Sequence, residues 1–237
     1  MRYFLVISLM VCQAVGFSQG LFEYFKLTAA DDGPEKFDRI IVDFNWDSWL
    51  DSPPSITTSA TSIGFNAYWY KDIPIGKKSH VALAIGLGLG SHNVHHNGEF
   101  INESTGNGFT GLYARPANVT WKKNKFAANY IDVPIELRLR NMNIRPKSED
   151  GRTKSIRVYP GFKAGILVNN HVKWKDKEIK YKVYDLKNVT RYRYGLTLRI
   201  AFNKFAISGF YSLSPLFEKG KGVQLYPISL GLSWIRF

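Results

Sequence analysis

Residues 131–140 read Ile131-Asp132-Val133-Pro134-Ile135-Glu136-Leu137-Arg138-Leu139-Arg140. Every second side chain is aliphatic, and between them stand two acids, a proline and two arginines. Successive side chains of a β-strand fall on opposite faces, so a strand here has one hydrocarbon face and one charged face. A single strand of this kind fits a soluble sandwich that turns its polar side to water. Repetition along the chain argues for something else.

Upstream, the stretch 39–49 sets Ile40, Val42, Phe44 and Trp46 against Ile41, Asp43, Asn45 and Asp47. The stretch 60–70 sets Ile63, Phe65, Ala67 and Trp69 against Ser62, Gly64, Asn66 and Tyr68. A third places Val81, Leu83, Ile85, Leu87 and Leu89 opposite Ala82, Ala84, Gly86, Gly88 and Gly90, small residues that leave room for long side chains arriving across a narrow barrel. The decisive stretch is the core of a fourth strand, 126–140. A fifth sets Val158, Pro160, Phe162, Ala164 and Ile166 against Arg157, Tyr159, Gly161, Lys163 and Gly165. A sixth sets Tyr192, Tyr194, Leu196, Leu198, Ile200 and Phe202 against Arg191, Arg193, Gly195, Thr197 and Arg199. After a tight turn at Asn203-Lys204, the seventh carries Phe205, Ile207, Tyr211 and Leu213, and the eighth carries Tyr226, Ile228, Leu230, Leu232 and Trp234.

The chain begins with Arg2 and an apolar run from Phe4 to Val15, then Gly16-Phe17-Ser18, which reads as a secretory leader over 1–18. Its single cysteine, Cys12, lies in that leader, so the exported part has no thiol for disulfides, nucleophilic catalysis or zinc. The expected organisation is the leader, a short periplasmic segment 19–37 and a barrel over 38–237. The formal net charge of +13 favours anionic partners, and export removes nucleic acid from among them. Of the anionic lipids and acidic glycans that remain, outer-membrane lipid and lipopolysaccharide are the leading partners.

The connections are uneven: those after odd-numbered strands run to about 10, 30, 20 and 10 residues, those after even-numbered strands to about 9, 14 and 2. Long outer loops alternating with short inner turns are the habit of outer-membrane barrels. Aromatic residues near strand ends, Trp46, Trp49, Trp69, Tyr70, Tyr192, Tyr226 and Trp234, are expected to form interfacial girdles. The expected fold is all-β: an eight-stranded antiparallel up-and-down transmembrane β-barrel in the cell outer membrane, with a polar, plugged interior. An arginine facing lipid at mid-bilayer costs roughly 2 to 4 kcal/mol, so the charges belong inside. Asp43, Asp132, Glu136, Arg138, Arg157, Lys163, Arg193 and Arg199 are the expected interior ion network, with Asp47 beside them.

The run Tyr130-Ile131-Asp132-Val133-Pro134-Ile135-Glu136-Leu137, the stretch Pro160-Gly161-Phe162-Lys163-Ala164-Gly165, Tyr192-Arg193-Tyr194-Gly195 and the ending Ile228-Ser229-Leu230-Gly231-Leu232-Ser233-Trp234 resemble the PorT-like small outer-membrane β-barrel family of Bacteroidota. The resemblance implies recognition by the barrel-assembly machinery through the last strand. It also implies, for some members, an accessory place in the type IX secretion and gliding apparatus. Phe237 is out of phase with the outward residues of that strand, and a bulge near Ile235 would restore it.

Little in the chain points to catalysis. Ser79-His80 falls at the inner end of the third strand with no third partner, which fits capping better than a hydrolytic pair. His92, His95 and His96 lie near the mouth of the second loop, where loop histidines are normally solvated, and neither a metal nor a cofactor is expected. Lys122, Lys123 and Lys125 beside Trp121, with Lys173, Trp174 and Lys175 in the cationic run to Lys182 that includes Tyr181, are the expected lipid or partner contacts. The reading that follows is a non-enzymatic barrel, a structural or accessory subunit of an envelope complex with a protein partner. Its alternatives are a rim-active lipid A-modifying enzyme and a soluble exported barrel that binds an apolar ligand.

Overall fold

A computed structural model describes residues 40–75, 81–103, 108–116, 118–143 and 155–236. The leader 1–18, the segment 19–37, Ser79-His80 and Phe237 lie outside the described residues. The strands are β1 (Ile40–Leu50), β2 (Ile63–Ile75), β3 (Val81–His95), β4 (Gly98–Asn102), β5 (Thr110–Ala114), β6 (Lys123–Asn143), β7 (Ser155–Lys175), β8 (Lys180–Tyr184), β9 (Tyr192–Phe202), β10 (Phe205–Ser212) and β11 (Tyr226–Arg236).

Eight of them, β1, β2, β3, β6, β7, β9, β10 and β11, pair antiparallel in chain order, and β11 returns to β1 from Ile40↔Arg236 to Leu50↔Tyr226. The result is a closed eight-stranded up-and-down barrel. Closure matters because an open edge presents a row of unpaired backbone groups. Pairing of β3 with β6 lapses only between Ile85↔Ile135 and Gly88↔Asp132, where Pro134 has no N–H to give.

The two faces separate cleanly. Phe44, Leu89 and Leu232 are 58%, 62% and 66% exposed on the outside, whereas Asp132 and Arg138 are fully buried within. The interior has three levels. Ile41, Tyr70, Tyr159, Ala201 and Ile235 form an apolar collar near the inner end, charged side chains occupy the middle, and an aromatic cluster around Phe126 and Phe217 fills the outer end.

Several expectations change. Trp49 and Tyr70 are buried inside rather than set in a girdle, because each shares the parity of the lumen residues on its strand. Trp46, Trp69, Tyr192 and Trp234 do face outward. β11 runs in unbroken register to Arg236, with Ile235 opposite Ile41, so there is no bulge at Ile235. Strands β6 and β7 are each 21 residues long, far more than the hydrocarbon layer needs, and their outer halves rise beyond the apolar belt. The expected loop from Lys173 to Lys182 is a hairpin: β8 pairs with the top of β7.

Candidate functional site

The period-2 rule places acids from β1 and β6 and bases from β6, β7 and β9 in one lumen. Asp132 accepts from Arg193 Nη2 at 2.5 Å and from the Tyr68 hydroxyl at 3.0 Å, and Lys163 Nζ stands 3.6 Å away. One step inward, Glu136 accepts from the Tyr70 hydroxyl at 2.8 Å and from Arg199 Nη1, and lies 3.3 Å from Arg138 Nη2. Arg199 also grips both oxygens of Asp43 at 3.0 Å, and Arg138 reaches Asp72 at 2.7 Å. Arg157 donates to the carbonyl oxygen of Asn203 near the inner end. Asp72, Arg138, Glu136, Arg199 and Asp43 form a chain of alternating charge, and Lys163, Asp132 and Arg193 form a second group joined to it through the Tyr68 and Tyr70 rings. Gly90 makes room for it: a Cβ there would sit 2.5 Å from Arg193 Nη2 and from Asp132 Oδ2. Small residues on β3 therefore answer long ones on β6 and β9.

Above this network the lumen ends in an aromatic cap. The β4–β5 hairpin brings Phe100 to within 6.0 Å of Trp49, 5.3 Å of His96, and 5.6 Å of Phe126 and of Phe217, measured between ring centres. Thr110 ties the hairpin to two other outer segments. Its amide donates to the Lys221 carbonyl at 2.9 Å, its carbonyl accepts from Val223 N at 3.0 Å, and its hydroxyl accepts from Asn188 Nδ2 at 2.9 Å. Two of the three histidines are buried and not solvated, and only His96 is part of this packing. His92 Nδ1 lies 3.3 Å from Asp47, and His96 is buried against Trp49. Burial, with His95 and Arg115 nearby, pushes the His96 imidazole down to about 3. No group of three metal-binding side chains comes together among the described residues.

The outer ends of β6, β7 and β8 form a second candidate site. Lys125 pairs directly with Lys173 and Lys173 with Lys182, while Lys123 pairs with Lys175 and Lys175 with Lys180. Lys122 lies just before β6 and is exposed. Trp174 is not part of this face. It is 5% exposed on the opposite side, with the Arg115 guanidinium 3.9 Å above its ring and Trp121 5.8 Å away. The cause is an extra residue at Val168: Tyr130 pairs with Leu167 but Asn129 pairs with Asn169. Such a bulge reverses the facing of every later residue on its strand. Trp174 therefore turns inward, although it shares parity with the outward Ile166, and Lys173 and Lys175 turn outward.

A family model described as the outer membrane protein beta-barrel domain matches residues 41–218, which spans both the lumen network and the outer extension. The chain belongs to the outer membrane protein beta-barrel domain family. Comparison with curated proteins and with solved structures gave no match.

For an outer membrane β-barrel, the geometry divides the labour. The lumen network neutralises and fills, and the cap seals. Among the described residues the polar outer extension, the apolar outer wall and the inner turn at Asn203-Lys204 remain accessible. Sequence reasoning missed the cap, whose residues come from β1, β4, β6 and the connection before β11, and it missed the cross-strand alignment of the lysines, which depends on the Val168 bulge. The only trace of that alignment in the sequence is the spacing of lysines at every second position, 123 and 125, 173 and 175, and 180 and 182.

Proposed function

We propose that this protein resides in the cell outer membrane as a non-enzymatic, plugged barrel and serves as a structural or accessory subunit of an envelope complex. The observation that carries the reading is the double closure of the lumen, by the ion network around Asp132 and Glu136 and by the aromatic cap around Phe100. A barrel filled at two levels supports neither a diffusion pore nor an internal ligand site. The hydrocarbon outer wall argues against a soluble carrier of apolar ligands, whose greasy residues would line the inside. His92 and His96 are engaged in packing and in contact with Asp47, which leaves less at the rim for lipid chemistry.

Within this reading the chain is delivered by the barrel-assembly machinery, sits among outer-membrane lipid and lipopolysaccharide, and joins a protein partner through its outer extension or its lipid-facing wall. The PorT-like features of its strands favour a type IX secretion, gliding or outer-membrane assembly machine of Bacteroidota as that complex. The test is purification of the tagged full-length chain from gently solubilised outer membranes. A partner at fixed stoichiometry that survives high salt is expected, with unchanged lipid A in a deletion strain. A lone barrel on purification overturns the accessory role, and altered lipid A favours the enzymatic alternative.

A further inference from the structure

The outer face of the β6–β7–β8 extension carries six lysines in two cross-strand rows. Lys125, Lys173 and Lys182 form one, continued on β3 by His95 opposite Lys125, and Lys123, Lys175 and Lys180 form the other. Like charges directly opposite one another destabilise a sheet. Among the described residues none of the six forms an ion pair, and Lys125 Nζ donates to neutral Asn93 Oδ1 at 2.7 Å. Asp176, at the hairpin turn, is occupied in accepting from the Glu178 and Ile179 amides at 2.7 and 2.6 Å. Partial burial and the surrounding lysines hold the Lys125 ammonium below its ordinary pKa.

Protection of an exposed strand edge explains lysines on β8, which pairs only with β7. It does not explain Lys125, Lys173 and Lys175, which are paired on both sides.

The rows continue the apolar wall of the same strands. On β6 the outward residues run from Leu139 through Ile135 to Ile131 and then change to Asn129 and Lys125, and on β7 Val168 gives way to Asn169 and Lys173. Lys125 stands six residues beyond Ile131, which at about 3.3 Å per residue and a tilt near 40° is about 15 Å above the hydrocarbon edge. The polar zone of an ordinary bilayer is only about 5 to 8 Å deep on each side. With strands about 4.8 Å apart and rows about 6.6 Å apart, the cations form a grid too wide for one phosphate.

We propose that this face binds the phosphorylated head group of an extended glycolipid in the outer leaflet. Its acyl chains lie along Ile131, Ile135 and Val168, and several of its phosphates lie across the two lysine rows. An acidic protein surface would meet the lysines but has no use for the continuous wall below them. The inference rests on the barrel's being in the outer membrane.

The full-length protein, purified in mild detergent, is titrated with four probes: lipopolysaccharide bearing a phosphorylated core, the same material dephosphorylated, inorganic pyrophosphate and polyglutamate. Outer-membrane fractionation and heat-modifiable migration first establish location and folding of each variant, so a failure of location is read there and not in the binding step. The wild type is expected to bind phosphorylated lipopolysaccharide roughly tenfold or more tightly than the dephosphorylated form. The K125Q/K173Q/K182Q variant is expected to lose that preference while folded, and K177Q/K187Q/K219Q, at exposed lysines outside the rows, to keep it. Equal binding of the dephosphorylated form, an unchanged row variant or an equal loss in the control overturns the proposal. Pyrophosphate binding as tight as that of lipopolysaccharide points to a free-phosphate site, and tighter binding of polyglutamate points to an acidic protein; either result also overturns it.

Discussion

Arg193 lays its guanidinium 3.7 Å over the ring of Tyr130 and sets Nη2 2.5 Å from Oδ2 of Asp132. Tyr130 belongs to the outer aromatic cluster, so this one side chain joins the charged middle of the lumen to the cap above it. The two levels of the plug are therefore mechanically continuous.

The acid is the costlier half of that pair to remove. Asp132→Asn leaves both Arg193 and Lys163 without their shared carboxylate, whereas Arg193→Leu leaves Asp132 still served by Lys163 and Tyr68. Breaking a buried pair so that charge is left uncompensated costs about 3 to 5 kcal/mol, and the arginine variant should lose about 1 to 3. Urea unfolding of the barrel in lipid vesicles measures the difference, and equal losses would refute the ranking.

Facing is tested by neighbours on one strand. Ile135→Arg puts a cation on the hydrocarbon side at a cost of roughly 2 to 4 kcal/mol and should sharply reduce outer-membrane yield. Arg138→Leu puts no charge into lipid but removes one of the partners of Asp72 and Glu136, so the barrel should insert and then unfold more readily. Normal yield of the Ile135→Arg protein would mean that the faces are reversed.

Gly90→Val fills the space that Arg193 and Asp132 occupy. Overpacking of this kind costs about 1 to 3 kcal/mol, and the loss should shrink when Arg193 is also shortened to Lys. A double-mutant cycle on urea midpoints reads the coupling.

The cap should weaken in acid. His96 stays neutral in the folded cap because its pKa is pushed down to about 3 from an ordinary 6.5, while the unfolded segment takes up a proton below 6.5. Stability is therefore complete above pH 6.5 and falls as the pH drops toward 3, by up to about 1.4 kcal/mol per unit. Hydrogen exchange around Phe100 and Phe126, corrected for intrinsic pH effects, should show faster local opening at pH 5 than at pH 7. His96→Leu should flatten that dependence.

Deleting Val168 removes the extra residue and leaves Leu167 and Asn169 as successive partners of Tyr130 and Asn129. Alternation along β7 is then regular, so Lys173 and Lys175 should stay outward and Trp174 should stay against Arg115. The variant should insert with Trp174 fluorescence still quenched and the outer extension still protected from protease. Exposure of Trp174 would argue that Val168 does more than take up one extra residue.

The inward and outward sides of the barrel are legible in the sequence wherever alternation is unbroken. Asp43, Asp132, Glu136, Arg138, Lys163, Arg193 and Arg199 alternate with aliphatic residues, and period 2 leaves them one side to occupy. Trp49 and Tyr70 obey the same rule, and parity rather than proximity to a strand end decides their side. The cap was illegible for a different reason. Phe100 and Thr110 lie on a short hairpin and Phe217 and Val223 in an irregular connection far along the chain, and no local pattern encodes which of them meet.

The sequence by itself determined the eight amphipathic strands, the hydrocarbon wall and the charges available to fill the lumen, because side-chain direction in a strand is a local property of the backbone. Tertiary structure alone decided the partners of those charges, the sealing of the outer mouth and the alignment of the lysines into rows. Each depends on register between strands distant in the chain. At Val168 a single extra residue opposite Asn129 and Tyr130 exchanges the faces of all that follows, and only the pairing with β6 discloses it.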